Sequence, residues 1–445
     1  MIRTLTTIAA AALCSGAGAQ DLTTTAPAQS NPVFLVGATV HTGTGEVIEN
    51  GVVSFSEGRI GLVGRADDIM PRVRLTADTQ VIDLSGKHVF AGIIGAVTML
   101  GLDEISAVRA MRDFDEVGDA TPEVRAYVAV NPDSTLIPVV RTNGVLTAGV
   151  FPTGGLIPGR ASVISMDGWT NEDMAIDRDA GVIINWPSMR PRTNRFDEAD
   201  DEPDTGRIDE RLAALDDWFD QAEAYRKAQS PAADLRLQAL TTVLPGQPEG
   251  RTQNPVFINA DDYDQIVAAV NWAATRGFKP VIVGGRDAGL CTDLLKAHDA
   301  AVIVSGVHRF PKRADSAFDD AFTLPARLEA AGVRWCLASG AETGHERNLI
   351  DNAAMAVAYG LPLEAGLRSI TSSPAQILGV GGELGTIENG KRATLIVTDG
   401  HALEVTTTVE HAFIDGRKID LSNKQTELRD KYREKYRQLG VSRDN

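Results

Sequence analysis

The strongest constraint on this chain is an alternation that runs from residue 91 to residue 380, where apolar runs of strand length take turns with helical patterns. A sheet whose strands are each followed by a helix is built parallel, and a long series of this kind closes into a barrel. The series starts at Lys87-His88-Val89-Phe90-Ala91-Gly92-Ile93-Ile94-Gly95-Ala96-Val97-Thr98-Met99-Leu100-Gly101-Leu102, a short apolar strand running into a glycine-bounded loop. Residues 133–145 read as a passage from helix to strand. Residues 151–160, rich in Gly and Pro, read as a structural turn, because they neither open a helix nor carry the Lys-Ser/Thr of a phosphate cradle. Ile208, Leu212, Leu215, Phe219, Ala222 and Tyr225 fall on one face of a helix, either an inserted lid or a packing helix. With 445 residues there is chain enough for one large domain and a smaller one.

The barrel-like stretch is flanked by β patterns. Residues 33–36, 52–55 and 60–63 are strand-like, and Glu49-Asn50-Gly51 and Ser56-Glu57-Gly58 are turn signals between them. A matching piece returns at residues 384–397 and 409–419. Residues 421–445 are dense in charge, with Leu428, Tyr432, Tyr436 and Leu439 at helical spacing, an amphipathic tail helix that is docked or partly free.

Three phrases resemble the amidohydrolase superfamily. The stretch at 87–102 is similar to that family's first barrel strand, Pro-Gly-Leu-Ile-Asp-x-His-x-His, with Ala91 at the Pro, Gly95 at the Asp, and Val97 and Met99 at the two histidines. Residues 385–397 resemble its G-x-I-E-x-G-K-x-A-x-L-I-V phrase, with Thr394 where the family has Asp, and residues 367–379 its Thr-x-x-Pro-Ala segment. The resemblance, closest to the secreted imidazolonepropionase-like branch, implies an α/β fold: a (β/α)8 TIM-like barrel over 91–380 with a small discontinuous β-sandwich from 32–90 and 381–420. It also implies hydrolysis of non-peptide C–N bonds in amides or cyclic amides, with zinc or another divalent metal as cofactor.

The same resemblance places the remaining ligand positions on Asn259 (strand five), Gly284 (strand six) and Gly340 (strand eight). Zinc-type hydrolysis needs imidazole or carboxylate donors about 2.0–2.3 Å from the ion. Neither Val97, Met99 nor a glycine supplies one, and Asn259 offers only a weak carbonyl oxygen. The expectation is therefore a chain with no metal site: a degenerate member that binds a small molecule or a partner. The alternative is an active C–N hydrolase with a displaced metal site or a metal-free acid/base pair.

Candidates for such a pair are Glu342 and His345, with His308 from the preceding strand loop, as catalytic residues. Arg141, Asn143, Asn259, Asp261, Arg286 and Asp287 are candidates for ligand binding, the arginines suiting an anionic or carboxylate-bearing molecule. The competing reading of these groups is a set of rim charges that pair with one another.

The N-terminus reads as a signal peptide over 1–19: Arg3, an apolar run from Leu5 to Cys14, and Ala17-Gly18-Ala19 before Gln20. Leu13 excludes a lipoprotein reading of Cys14. Residues 20–31 read as a mobile linker, and the expected location is exported and periplasmic. Net charge −17 argues against nucleic-acid and anionic-membrane partners, and no later segment is apolar for long enough to span a bilayer. The acidic stretch 196–204 lacks the order of a calcium loop. Cys291 and Cys336, each in apolar sequence, read as buried thiols. A homo-oligomer, or a complex with an active homologue, is a further partner reading.

Overall fold

A computed structural model describes residues 24–189, 206–229, 231–340 and 343–441. Residues 1–19, read above as a signal peptide, the acidic stretch 196–204 and Glu342 lie outside the described residues. Five strands come first: β1 (Val33–His41), β2 (Val47–Ser56), β3 (Arg59–Arg65), β4 (Gln80–Asp83) and β5 (His88–Ala91). Eight follow: β6 (Ile93–Thr98), β7 (Val145–Val150), β8 (Gly159–Ser165), β9 (Ala175–Asn185), β10 (Val256–Ala260), β11 (Pro280–Gly284), β12 (Ala301–Ser305) and β13 (Trp335–Ala338). Three end the series: β14 (Leu395–Thr398), β15 (Val409–Ile414) and β16 (Arg417–Ile419).

Strands β6 to β13 form one sheet in chain order, the barrel. Period-two alternation sorts its residues. Ile94, Ala96, Phe257, Val281, Val283, Ile303, Cys336 and Ala338 fill the lumen. Ile93, Ala148, Ile258, Ile282, Val302 and Leu337 face the surrounding helices. The helix Gly206–Lys227 is one of those packing helices and not a lid: Leu215, Phe219 and Ala222 are buried, with the Phe219 ring 4.9 Å from that of Phe278.

One strand departs from the all-parallel expectation. β8 runs antiparallel to both β7 and β9, while every other neighbouring pair is parallel. The Gly/Pro-rich loop 151–158 is the reason, since it is too short for the crossover that a parallel pair requires.

The barrel ends, β6 and β13, are not hydrogen-bonded to each other. The backbone of Ser369 and Ile370 fills the gap: Ile94 N donates to Ile370 O at 2.8 Å and Leu337 N to Ser369 O at 3.0 Å. The Thr-x-x-Pro-Ala segment of the sequence starts immediately after this wedge.

The N- and C-terminal strands build a second sheet, ordered β16-β15-β14-β5-β1-β2-β3 with β4 also on β1. Phe55 on β2 and Phe413 on β15 stand four strand steps apart, about 19 Å in a flat sheet. Their rings are 5.1 Å apart, so the sheet is folded over on itself around one apolar core. Ile60 N closes the roll on Lys391 O at 2.9 Å.

One polar knot joins this sheet to the barrel, and a second lies within the sheet itself. Asp167, after β8, is 3 % exposed and accepts from Arg141 at 2.9 Å and from Arg417 of β16 at 2.5 Å. Ala26 N also donates to it at 3.3 Å. The described part of the stretch read as a mobile linker is thus tied down, and Gln29 adds a bond to Phe55 O at 3.0 Å. The second knot is histidine: His41 Nε2 lies 3.0 Å from His88 Nδ1, and His401 meets the His41 ring edge-on at 5.2 Å, all beside Phe90. Burial, then His401 and His88, push His41 down to about 4.

Cys291 and Cys336 are buried free thiols. The tail helix Lys424–Gln438 is held at its start, where Asn423 Nδ2 donates to Thr142 Oγ1 at 2.6 Å. Leu428, Tyr432 and Tyr436 along it are exposed.

Asp167→Asn leaves Arg141 buried beside a neutral group. Loss of a buried pair of this kind costs about 3–5 kcal/mol, and the urea midpoint is expected to fall accordingly; an unchanged midpoint would show that the knot holds nothing. For His41, the unfolded chain binds the proton near 6.5 and the folded one only near 4. Stability is therefore lost as pH falls between those values. His41→Gln is expected to flatten that loss in melting curves recorded at pH 7, 5.5 and 4.

Candidate functional site

The C-terminal ends of the parallel strands define the barrel mouth, where side chains from separate strands converge. An open cavity of about 250 Å³ lies there, lined by Asn259, Ala260, Asp261, Gln265, Val283, Gly284 and Ser305. By the strand alternation Asn259 and Ser305 face inward. Asn259 Nδ2 donates to Asn185 Oδ1, at the end of β9, at 2.6 Å. Gln265 braces the wall: its Oε1 accepts from the N–H groups of Asp261 and Asp262, and its Nε2 donates to Trp186 O and Pro187 O.

A charged rim surrounds the cavity. Arg286 lies 3.5 Å from Asp261. Asp287, 5 % exposed, accepts from Arg313 at 2.5 Å, Lys312 at 3.0 Å and Tyr263 N at 3.0 Å. Burial pushes the Asp287 carboxyl up, but these donors outweigh it and hold it below its ordinary value. Lys312 also pairs with Asp262. Arg309 sits among Arg286, Asp261, Asp320 and Asp287, and burial, then Arg286, lower its pKa.

Four of the sequence candidates, Asn259, Asp261, Arg286 and Asp287, are thus brought together. Arg141 and Asn143 are not. They precede β7 and stand at its N-terminal end, the foot of the barrel. Arg141 is spent on Asp167 there, and Asn143 donates to Arg347 O at 3.0 Å. The sequence reading put them at the mouth because a helix-to-strand passage does not say which end of the strand it leads into. His308 is exposed in the loop after β12, with its ring 6.2 Å from that of Phe322. His345 is exposed in the turn Thr343–Asn348. Among the described residues no hydrogen bond, ion pair or ring contact joins the two histidines.

Sequence reasoning missed Arg309 and Glu346. Arg309, Lys312 and Arg313 form a basic run in an acidic chain, a signal that was visible. Nothing local marks Glu346. Its carboxyl is 1 % exposed and lies behind the barrel wall, accepting from Ser339 Oγ at 2.6 Å. Its Oε1 has no hydrogen-bond partner among the described residues and stands 2.4 Å from where a Cβ on Gly95 would be. Any side chain at Gly95, the family's Asp position, would collide with it. Burial raises this carboxyl to about 7, against the pull of the Ser339 and Thr98 hydroxyls.

The donor set does not fit a zinc-type centre. Val97 packs against the lumen cluster and Met99 against the outer layer. At the end of β11 the inward residue is Val283, while Gly284 has φ +102° and a Cβ there would meet Asp261 Oδ1 at 2.5 Å. Among the described residues no three His, Cys, Asp or Glu side chains are grouped so as to hold a cation. No helix among them is long and apolar enough to cross a membrane.

A barrel with an additional β domain is also the architecture of solved amidohydrolase structures. The profile of the Amidohydrolase family matches residues 281–419. "Amidohydrolase tasK" of Hapsidospora irregularis is 23% identical over 393 residues, which cover 80% of this chain but only 39% of that protein. The crystal structure of an amidohydrolase from Thermotoga maritima MSB8 superposes with a TM-score of 0.73 at 25% identity, over 87% of this chain and 99% of that one. Molinate hydrolase shares the fold, with a TM-score of 0.53 at 15% identity over 88% and 95% of the two chains. The chain belongs to the amidohydrolase superfamily.

Because folded Glu346 keeps its proton up to about pH 7 while an unfolded Glu gives it up near 4.5, the protein loses stability as pH rises between those values. The loss is of order 3 kcal/mol. Glu346→Gln is expected to match the wild-type urea midpoint at pH 4.5 and exceed it at pH 8. Parallel pH profiles for the two proteins would show that the carboxyl stays ionised.

Proposed function

We propose that this chain is a superfamily member that has lost metal-dependent hydrolysis and keeps the barrel mouth as a small-molecule binding site, in a protein exported to the periplasm. The observation that supports this most directly is Asn259. It is the one polar side chain at the described family ligand positions, and its amide is engaged with Asn185 at 2.6 Å instead of facing a shared point with other donors. The cavity beside it remains, about 250 Å³ and polar-rimmed. A well-formed concavity at strand ends is where ligands bind in this architecture even when the chemistry differs. Export rests on the Arg3, apolar-run and Ala17-Gly18-Ala19 pattern.

Protein purified without chelators or affinity metals is expected to contain far less than one equivalent of zinc, iron or manganese. N-acetylglycine and dihydrouracil, an open and a cyclic amide, should remain unhydrolysed. Near-stoichiometric metal, with turnover that disappears on chelation and returns on reloading, would defeat the proposal.

A further inference from the structure

One cation at the barrel mouth has donors that meet no acceptor among the described residues. The loops after β10, β11 and β12 bring Asp261, Asp262 and Asp287 together with Arg286, Arg309, Lys312 and Arg313, and Asp320 also stands near Arg309. Three of the four are paired: Arg286 with Asp261, Lys312 with Asp262 and Asp287, Arg313 with Asp287. Arg309 differs. Its Nε donates to Gly306 O at 3.3 Å, while both terminal nitrogens are shut off from solvent without a hydrogen-bond partner among the described residues. A guanidinium has no acceptor of its own and is always charged, so donors buried in this way are a standing cost until an anion meets them.

The loop that carries Arg309 adds a second observation. From 306 to 319 it contains neither helix nor strand, and it exposes Phe310 at 92 % and Phe318 at 75 % while the arginine is half-buried with its terminal nitrogens covered. Loops of this length beyond a barrel strand are where ligand contacts reside, and an irregular backbone lets the side chain re-aim at little cost.

We propose that the loop 306–319 is a carboxylate-binding loop and that Arg309, four residues past Ser305 of the cavity wall, re-aims to anchor a small carboxylic acid at the mouth. The two terminal nitrogens form a planar fork that matches the two oxygens of a carboxylate. The inference rests on the mouth being a binding site, as proposed above, and names what binds there.

N-acetylglycine and its neutral isostere N-acetylglycinamide are titrated into the full chain, followed by NMR line broadening of the acetyl methyl and by melting temperature. The acid is expected to bind about tenfold more tightly than the amide, the difference that one charge-assisted fork supplies. Arg309→Gln should abolish that preference, and Arg309→Lys, which keeps the charge without the fork, should retain only part of it. Equal binding of acid and amide, binding of neither, or wild-type binding of the acid by an Arg309→Gln protein with a native circular-dichroism spectrum would each overturn the assignment. The two readings fail separately. Hydrolysis of N-acetylglycine would overturn the loss of catalysis, while a raised KM with unchanged kcat in Arg309→Gln would still support the anchor.

Discussion

The barrel depends on how its first and last strands are joined, because no backbone hydrogen bond passes directly between β6 and β13. An open sheet edge inside a packed protein leaves unsatisfied N–H and C=O groups. Here Ser369 and Ile370 present carbonyls to Leu337 and Ile94 and so stand in for the missing ladder. Glu346 lies behind the same seam, bonded to Ser339 just past β13 and pressed against Gly95 of β6. A buried carboxyl is tolerated there because it holds its proton to near neutrality. Gly95, which reads in sequence as a lost Asp, is in three dimensions the space that lets Glu346 in.

The rest of the molecule is fastened to that barrel at its foot. The reversed β8 delivers Asp167 to the end opposite the mouth, where Arg141 and Arg417 share it and the N-terminal Ala26 joins them. The rolled sheet built from both chain ends is therefore attached through a buried charge cluster as well as through apolar packing. The histidine cluster secures a separate place, the region of β1, β5 and the loop after β14. Both knots use polar groups whose partners come from distant parts of the chain; the first fixes the sheet against the barrel, the second fixes the sheet's own two halves.

Polar chemistry at the mouth follows the same economy. Asp287, Lys312, Arg313 and Asp262 satisfy one another, Arg286 meets Asp261, and Asn259 leans on Asn185. Of the sequence candidates, Asp261, Arg286 and Asp287 are rim charges with partners. What is left over is an open cavity and the terminal nitrogens of Arg309, which have no hydrogen-bond partner among the described residues. Superfamily membership fixes the scaffold; the side chains at the strand ends decide what it does.

Local pattern by itself determined a good deal here. The β/α alternation, the glycine turns and the apolar faces of Gly206–Lys227 and the tail helix were legible because strand and helix periods depend only on neighbours along the chain. The poverty of donors at Val97, Met99, Gly284 and Gly340 was legible too, since it is a matter of residue identity. Only the tertiary structure decided which end of the barrel each loop occupies, and so it moved Arg141 and Asn143 to the foot. It also decided that β8 runs backward, that Glu346 is buried against Gly95, and that the terminal nitrogens of Arg309 meet no acceptor among the described residues. The physical reason is common to all of these. Burial, pairing and strand direction arise from contacts between residues far apart in sequence, and no window of neighbouring residues contains them.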